Sequence, residues 1–339
     1  MSSEKILVMG PSWVGDMVMA HSLFQLLKQQ NPAVQIDVAA PAWTLPLLDR
    51  MPEVSEKIAL PFKHGQLSLM ERIQFGRHLK DSHYTQSISL VNSLKSAILP
   101  FAARIKKRTG FLGEMRYGLL NDIRQLDKKV LPKTVERFVA LGLPKNQQLP
   151  AIPQPILLAD KENAVNVLIQ LNTAVTSDKV LGLCSGAEYG EAKRWPANYY
   201  AEVANAALDQ GWQVLLFGSD KDVLVTQAIN EMTQSRCIDL GGKTKLGDAI
   251  DIMSLCTTVI SNDSGLMHVA AALDIKLIAI YGSSDPRHTP PMHPDAVVEY
   301  LALPCSPCFQ RVCPLQGEAH MACLNNINPT TIISRLKND

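Results

Sequence analysis

With 339 residues, 46% of them hydrophobic and 19% charged, the chain has material for two domains with ordinary cores. A net charge of +1 gives no global case for nucleic-acid binding, and the apolar runs fall far short of the roughly 20 residues that a membrane span needs. The opening Met-Ser-Ser-Glu-Lys leads straight into Ile6-Leu7-Val8-Met9, too short for the apolar core of a secretory signal, so a cytoplasmic location is expected. There the seven cysteines are expected as free thiols or metal ligands rather than disulfides.

In chain order, 5–9 reads as a buried strand and 10–16 as a glycine-flanked loop. A helix over 17–29 stops at Asn31-Pro32, and 35–39 is the next strand. That unit opens a doubly wound parallel sheet, and its loop lacks the G-x-G-x-x-G dinucleotide fingerprint. Helices near 45–50, over 67–80 and over 93–102 alternate with strands near 58 and over 86–91. A basic segment at 104–108 and a loop over 109–121 follow. Pro144, Pro150, Pro153 and Pro155 then mark an interdomain linker. Beyond a helix over 159–174, a second series begins with a strand over 179–184 and a long loop to Pro196, which leads into a helix from 197. Strands over 213–217, 257–260 and 276–281, helices opened by Gly218-Ser219-Asp220 and over 246–255, and a final helix over 327–336 complete it. Two tandem α/β domains predict a ligand in the cleft between them, at the carboxyl ends of the strands.

The second series holds the most informative turn, Ser261-Asn262-Asp263-Ser264-Gly265-Leu266-Met267-His268, between a strand and a helix. Asn262, Asp263 or Ser264 can cap the helix, and Gly265 lets a ligand approach the backbone. The unpaired N–H groups and the positive end of the helix dipole then suit an anion, and His268 lies about one helical turn on. An ordinary capped turn with a packed histidine fits the same residues. Asp220-Lys221-Asp222 has the D-x-D spacing that can hold a metal, but at a helix opening these acids read as partners of the dipole.

The ordered set Gly10-Pro11-Ser12-Trp13-Val14-Gly15-Asp16-Met17-Val18, Gly113-Glu114-Met115-Arg116-Tyr117-Gly118-Leu119-Leu120-Asn121-Asp122, Ala192-Lys193-Arg194-Trp195-Pro196, Asn262 to His268 and Tyr281-Gly282-Ser283-Ser284 resembles the bacterial lipopolysaccharide heptosyltransferases, glycosyltransferase family 9. The resemblance runs over essentially the whole chain. It implies a GT-B fold: an acceptor-binding Rossmann-like domain over 1–155, a donor-binding one over 156–325, and a C-terminal helix over 326–339 packing back toward the first. It implies inverting transfer of L-glycero-D-manno-heptose from ADP-heptose to a Kdo-lipid A acceptor, with no metal or other cofactor required for catalysis. Trp13 and the 115–118 stretch favour the type that extends an acceptor already carrying one heptose over the type that acts on the bare Kdo acceptor. A related GT-B transferase using another nucleotide sugar is the remaining alternative. The lipid acceptor implies peripheral contact with the cytoplasmic face of the inner membrane.

Asp16, ionised at neutral pH, is the expected general base. On its residues alone it reads rather as the cap of the helix from Met17, and the resemblance is what favours the base. Lys193 is expected on the diphosphate, as a compact charge, with Arg194 solvated beside it. Backbone N–H groups of Gly265 and Leu266 join it, while Asp263 is expected to bond backbone N–H groups or reach a heptose hydroxyl. The resemblance further assigns Ser185, Gly186, Asp220, Thr244, Ser264 and His268 to the donor, and Ser12, Trp13, Asn92, Lys95, Arg116 and Tyr117 to the acceptor. Arg104, Lys106, Lys107, Arg108 and Arg124 add positive charge, which for Lys106-Lys107 reads equally as a solvated face. Cys305-x2-Cys308-x4-Cys313-x9-Cys323 leaves three readings open: a structural zinc site, free thiols or a disulfide.

Overall fold

The apolar stretch Lys5–Met9 forms β1, buried on both faces as a central strand of a helix-covered parallel sheet must be. The computed structural model describes residues 4–62 and 65–336. It divides into two units, Met1–Ile156 and Leu157–Asp339.

The first unit runs β1, α1 (Val14–Gln30), β2 (Gln35–Pro41), α2 (Leu45–Leu48), β3 (Glu56–Leu60), α3 (Leu69–His78), β4 (Gln86–Ser89), α4 (Leu94–Ala102), β5 (Lys107–Phe111), β6 (Asp122–Arg124) and α5 (Thr134–Leu141). Its sheet has the order β3-β2-β1-β4-β5-β6, and every pairing is parallel. The chain builds outward from β1 to β3, returns to β4 beside β1, and builds the other way. Loops leaving the carboxyl ends of β1 and β4 therefore diverge around a crevice, the switch point of the fold. The register Met9↔Ser89 sets these two loops side by side.

Helix α1 starts at Val14, ahead of the expected residue 17, because Trp13 takes the extended N-cap conformation. Asp16 then falls in the first turn, where a carboxylate meets the positive end of the dipole. Helices α3 and α4 meet at Gly76, where a Cβ would stand 2.6 Å from the Leu99 carbonyl oxygen. Leu7, Met9, Tyr84 and Leu99 belong to the core on this side of the sheet. Strand β5 occupies what reads as a basic segment and a loop: Lys107 is exposed at its amino end, while Thr109, Gly110 and Phe111 are buried. Helix α5 was not expected, although Val135, Phe138, Val139 and Leu141 bury one face at helical spacing.

The second unit runs α6 (Lys161–Gln170), β7 (Val180–Cys184), α7 (Ala197–Leu208), β8 (Gln213–Phe217), α8 (Val223–Met232), β9 (Ile238–Asp239), α9 (Leu246–Met253), β10 (Thr258–Asn262), α10 (Gly265–Ala272), β11 (Lys276–Tyr281), β12 (Val297–Tyr300), α11 (Ala322–Asn325) and α12 (Pro329–Leu336). The order β12-β11-β10-β7-β8-β9 repeats the first pattern, so the switch point lies between β7 and β10. Trp195, Tyr200, Ile260 and Ile278 lie in its core. Helix α12, expected to pack toward the first domain, buries Ile332 and Leu336 in this same core. Residues 337–339 of the expected C-terminal segment lie outside the described residues. No helix among the described residues is long and apolar enough to cross a membrane.

Candidate active site

At the β7/β10 switch point, Lys193 Nζ lies 2.5 Å from Asp263 Oδ2, with only 18% and 5% of the two side chains exposed. Lys193 ends a short turn, Glu191–Lys193, in the loop after β7, and Asp263 directly follows β10. The Ser284 hydroxyl donates to the same Asp263 oxygen. Nζ also stands 5.1 Å from the Tyr189 ring centre. An ammonium has three N–H donors, and Asp263 takes one, so two remain for other acceptors. Of the two expectations for Asp263, backbone N–H groups or a heptose hydroxyl, the first is not met. Its carboxylate instead serves side chains, because an ammonium and a hydroxyl stand within reach of the same oxygen.

Asn262 is buried and ties three segments together. Its amide donates to the Ser185 carbonyl at 2.7 Å. Its oxygen accepts from the Trp195 N–H at 3.0 Å and the Tyr200 hydroxyl at 3.0 Å. Of the three candidate caps, Ser264 holds the N-cap position of α10, but its side chain makes no capping hydrogen bond. The first N–H groups of α10, from Gly265 and Leu266 onward, thus keep the capacity to hold an anion that the turn predicts.

His268, one turn into α10, is 4% exposed. Burial pushes its pKa down to about 4, Asp263 opposes and Lys193 adds to the fall, so the imidazole is neutral at neutral pH. Its Nδ1 and the hydroxyls of Ser185 and Ser283 are buried without a hydrogen-bond partner among the described residues. Such groups call for an explanation. All three stand on α10 or on loops at the carboxyl end of the sheet, where a polar ligand would satisfy them.

Asp220 is exposed in the turn after β8. A Cβ on Gly242 would lie 3.2 Å from its Oδ1, so Asp220 and the 242–244 turn bearing Thr244 share one rim. Asp222, the second acid of the D-x-D spacing, is used by the fold. It accepts from the Ser219 N–H at 3.0 Å and hydroxyl at 2.7 Å, and pairs with Arg194 at 3.4 Å. Arg194 is therefore ion-paired rather than simply solvated. Gly186 lies against this carboxylate.

At the β1/β4 switch point of the first unit, Asp16 is half-buried in the first turn of α1. It does not cap the helix, since Trp13 occupies that position. The Ser12 carbonyl accepts from the Trp43 indole at 3.0 Å, and Trp13 itself is exposed. Asn92 and Lys95 follow β4, and exposed Tyr117 follows β5.

Arg116 corrects the sequence reading. Its side chain is fully buried and donates to the Val91 carbonyl at 2.7 Å, the Ser96 hydroxyl at 3.1 Å, Asn92 Oδ1 at 3.2 Å and the Phe111 carbonyl. The guanidinium clamps the loops after β4 and β5 and orients Asn92, so it is not presented to an acceptor. Arg124 bonds Asp122 at 2.9 Å and the Leu143 carbonyl at 3.0 Å, and Arg108 bonds the Leu119 and Ile105 carbonyls at 2.6 Å each. Arg104, Lys106 and Lys107 are exposed.

All seven cysteines are free, with Cys184, Cys237 and Cys256 buried. Burial and the neighbouring Cys305, Cys308 and Cys313 push the Cys323 thiol up to about 11. Cys313 Sγ accepts from the Met321 N–H at 3.4 Å. Among the described residues no group of three or more Cys, His, Asp or Glu side chains is placed to hold a metal ion.

Sequence reasoning quotes Ser284 within the 281–284 motif but gives it no role, and it does not reach the buried tie made by Asn262 or the support given by Asp222. The available signal for Ser284 was its place directly after an apolar strand, Lys276–Tyr281.

Residues 72–319 match the model of glycosyltransferase family 9 (heptosyltransferase). The chain is 48% identical over 297 residues to the lipopolysaccharide heptosyltransferase 2 of Salmonella typhimurium, covering 85% of each chain. It is 47% identical over 307 residues to the lipooligosaccharide heptosyltransferase 2 of Haemophilus ducreyi, covering 87% of this chain and 88% of that one. The solved structure of Escherichia coli ADP-heptose LPS heptosyltransferase II aligns with a TM-score of 0.87 at 41% identity, over 98% of both chains. The paired six-stranded sheets, the two switch points and these likenesses agree: the chain belongs to glycosyltransferase family 9, the heptosyltransferases, and has the GT-B fold.

Proposed function

We propose that the chain transfers L-glycero-D-manno-heptose from ADP-heptose to the first inner-core heptose of heptosyl-Kdo2-lipid A, with inversion at the anomeric carbon. The observation that carries this is the Lys193–Asp263–Ser284 group beside the open N-terminus of α10. It offers an oriented ammonium and free backbone donors, the complement of a diphosphate leaving group. The names borne by relatives at 47–48% identity support heptosyl transfer of the second type, and that of the solved relative at 41% identity supports ADP-heptose as the donor.

In this reaction the acceptor hydroxyl attacks the anomeric carbon as the bond to the ADP oxygen breaks. The hydroxyl proton goes to the Asp16 carboxylate, and the charge left on ADP is met by Lys193 and the first turn of α10. Neutral His268 can donate a single ring N–H to phosphate or sugar without adding charge. No metal enters the scheme. The enzyme works at the cytoplasmic face of the inner membrane, where its lipid acceptor is held, by peripheral contact.

Calorimetric titration with ADP tests the donor half. Lys193→Ala should weaken ADP binding by at least about tenfold, the scale of one lost charge-assisted contact. Undiminished binding would remove Lys193 from the donor site.

A further inference from the structure

The first unit carries an amphipathic groove of about 1040 Å³ between α3 and α4 that the transfer scheme does not use. Its floor is apolar, formed by Leu67, Leu69, Ile73, Leu94, Ile98 and Phe101. Leu67, Leu69 and Phe101 are 48–49% exposed and Leu94 is 37% exposed, with Met70 beside them at 69%. Large apolar side chains gathered in this way on an otherwise polar surface mark a contact face. The rim is basic: Arg77, Lys80, Arg104, Lys106 and Arg108, with no acidic residue among the lining side chains. Arg108 is held by backbone carbonyls and lies over the Phe101 ring, 5.4 Å from its centre. Arg77, Lys80, Arg104 and Lys106 are exposed. The net charge of the whole chain is +1, so this rim is a local concentration and not a general excess.

We infer that this groove is the membrane-docking face of the enzyme, which seats on an anionic bilayer surface. The apolar floor enters the headgroup–acyl boundary while the basic rim meets lipid phosphates. Two features select this occupant. The charge is of one sign, which complements an anionic surface, and one groove joins it to exposed apolar side chains, the leucines at the starts of α3 and α4 and the basic residues toward and beyond their ends, the combination an interfacial contact requires. The leucines at the starts of α3 and α4 stand at the carboxyl end of the sheet, the end at which Asp16 follows β1. A bilayer at this groove would therefore hold a lipid-linked acceptor near the Asp16 end of the unit. The inference rests on the proposed lipid acceptor and gives it a place to be reached.

The test is co-sedimentation of the full chain with vesicles of phosphatidylcholine alone or mixed with phosphatidylglycerol, for the wild type, Arg77→Glu/Lys80→Glu and Leu69→Ser/Phe101→Ser. Turnover is measured in parallel with an acceptor stripped of its fatty acyl chains. The wild type should prefer the anionic vesicles and be released by high salt. A basic side chain near such a surface contributes about fivefold in partition, so the double charge reversal should cost at least about twentyfold. The double serine variant should also lose vesicle binding, and both should keep turnover on the acyl-free acceptor. Equal partition to the two vesicle types, or variants that bind like the wild type, would overturn the inference. So would loss of turnover on the acyl-free acceptor, which would place the groove in the reaction site, or self-association abolished by the serine pair, which would assign the face to a second copy. Absence of wild-type turnover on any acceptor would refute the proposed reaction, while the vesicle result would still decide the docking face.

Discussion

Asp16 and Arg116 show what a single residue in a sequence does and does not disclose. Asp16 was legible because a carboxylate in a glycine-flanked loop after a buried strand lands at a carboxyl end whatever the helix start turns out to be. Arg116 was misread because the sequence cannot distinguish a fork aimed at ligand oxygens from one aimed at the carbonyls of Val91 and Phe111. The Asp263–Ser284 bond was hidden for a related reason: its partners are 21 positions apart and meet only once β10 and β11 pair. If Asp16 accepts the proton, Asp16→Asn should cut turnover by at least about 10² while ADP binding stays within about twofold. Single-turnover kinetics beside calorimetry would check it, and intact turnover would exclude Asp16 as the base.

His268 makes a separate residue-level prediction. Its folded pKa of about 4 lies below the ordinary 6.5, so the unfolded chain binds the proton more readily. Stability from this group is present above about 6.5 and is lost as pH falls toward 4. Between about pH 7.5 and pH 5 the wild type should lose about 2 kcal/mol more than His268→Gln in urea unfolding. Glu53, whose carboxyl His21 holds below its ordinary value against the opposing effect of burial, acts at lower pH and leaves this window clear. Equal losses in the two proteins would show that His268 is not held neutral by burial.

At the scale of elements, long apolar strands were readable and short or charged ones were not. Gln213–Phe217 and Lys276–Tyr281 fall where their apolar runs and flanking turns put them. Strand β9 has only two residues, β6 three, and β5 opens with Lys107 and Arg108, so none carries enough apolar signal to stand out. Helix α5 does carry the signal, in Val135, Phe138 and Val139, but over only eight residues, between the loop over 109–121 and the proline-rich linker. The contact of α3 with α4 depends on Gly76, which has no Cβ to meet the Leu99 carbonyl. Gly76→Ala should destabilise the first unit by about 1–3 kcal/mol through overpacking. Hydrogen exchange should show the loss in α3 and α4, and unchanged protection there would mean that the two helices part without cost.

At the scale of the molecule, the doubly wound order was legible because each strand–helix repeat has few topological solutions. Both units come out with the same strand order, and in both the residues singled out for chemistry sit at the switch point: Asp16 beside β1, Lys193 and Asp263 beside β7 and β10. The cysteine segment was the least legible part, because spacing alone does not tell whether four thiols converge. The central claim is heptosyl transfer to an acceptor that already carries a heptose. Its most direct test is ADP release from ADP-L-glycero-D-manno-heptose with heptosyl-Kdo2-lipid A and, separately, with Kdo2-lipid A. Release with the heptosylated acceptor alone is the predicted result, and release with the bare Kdo acceptor, or with neither, would contradict it.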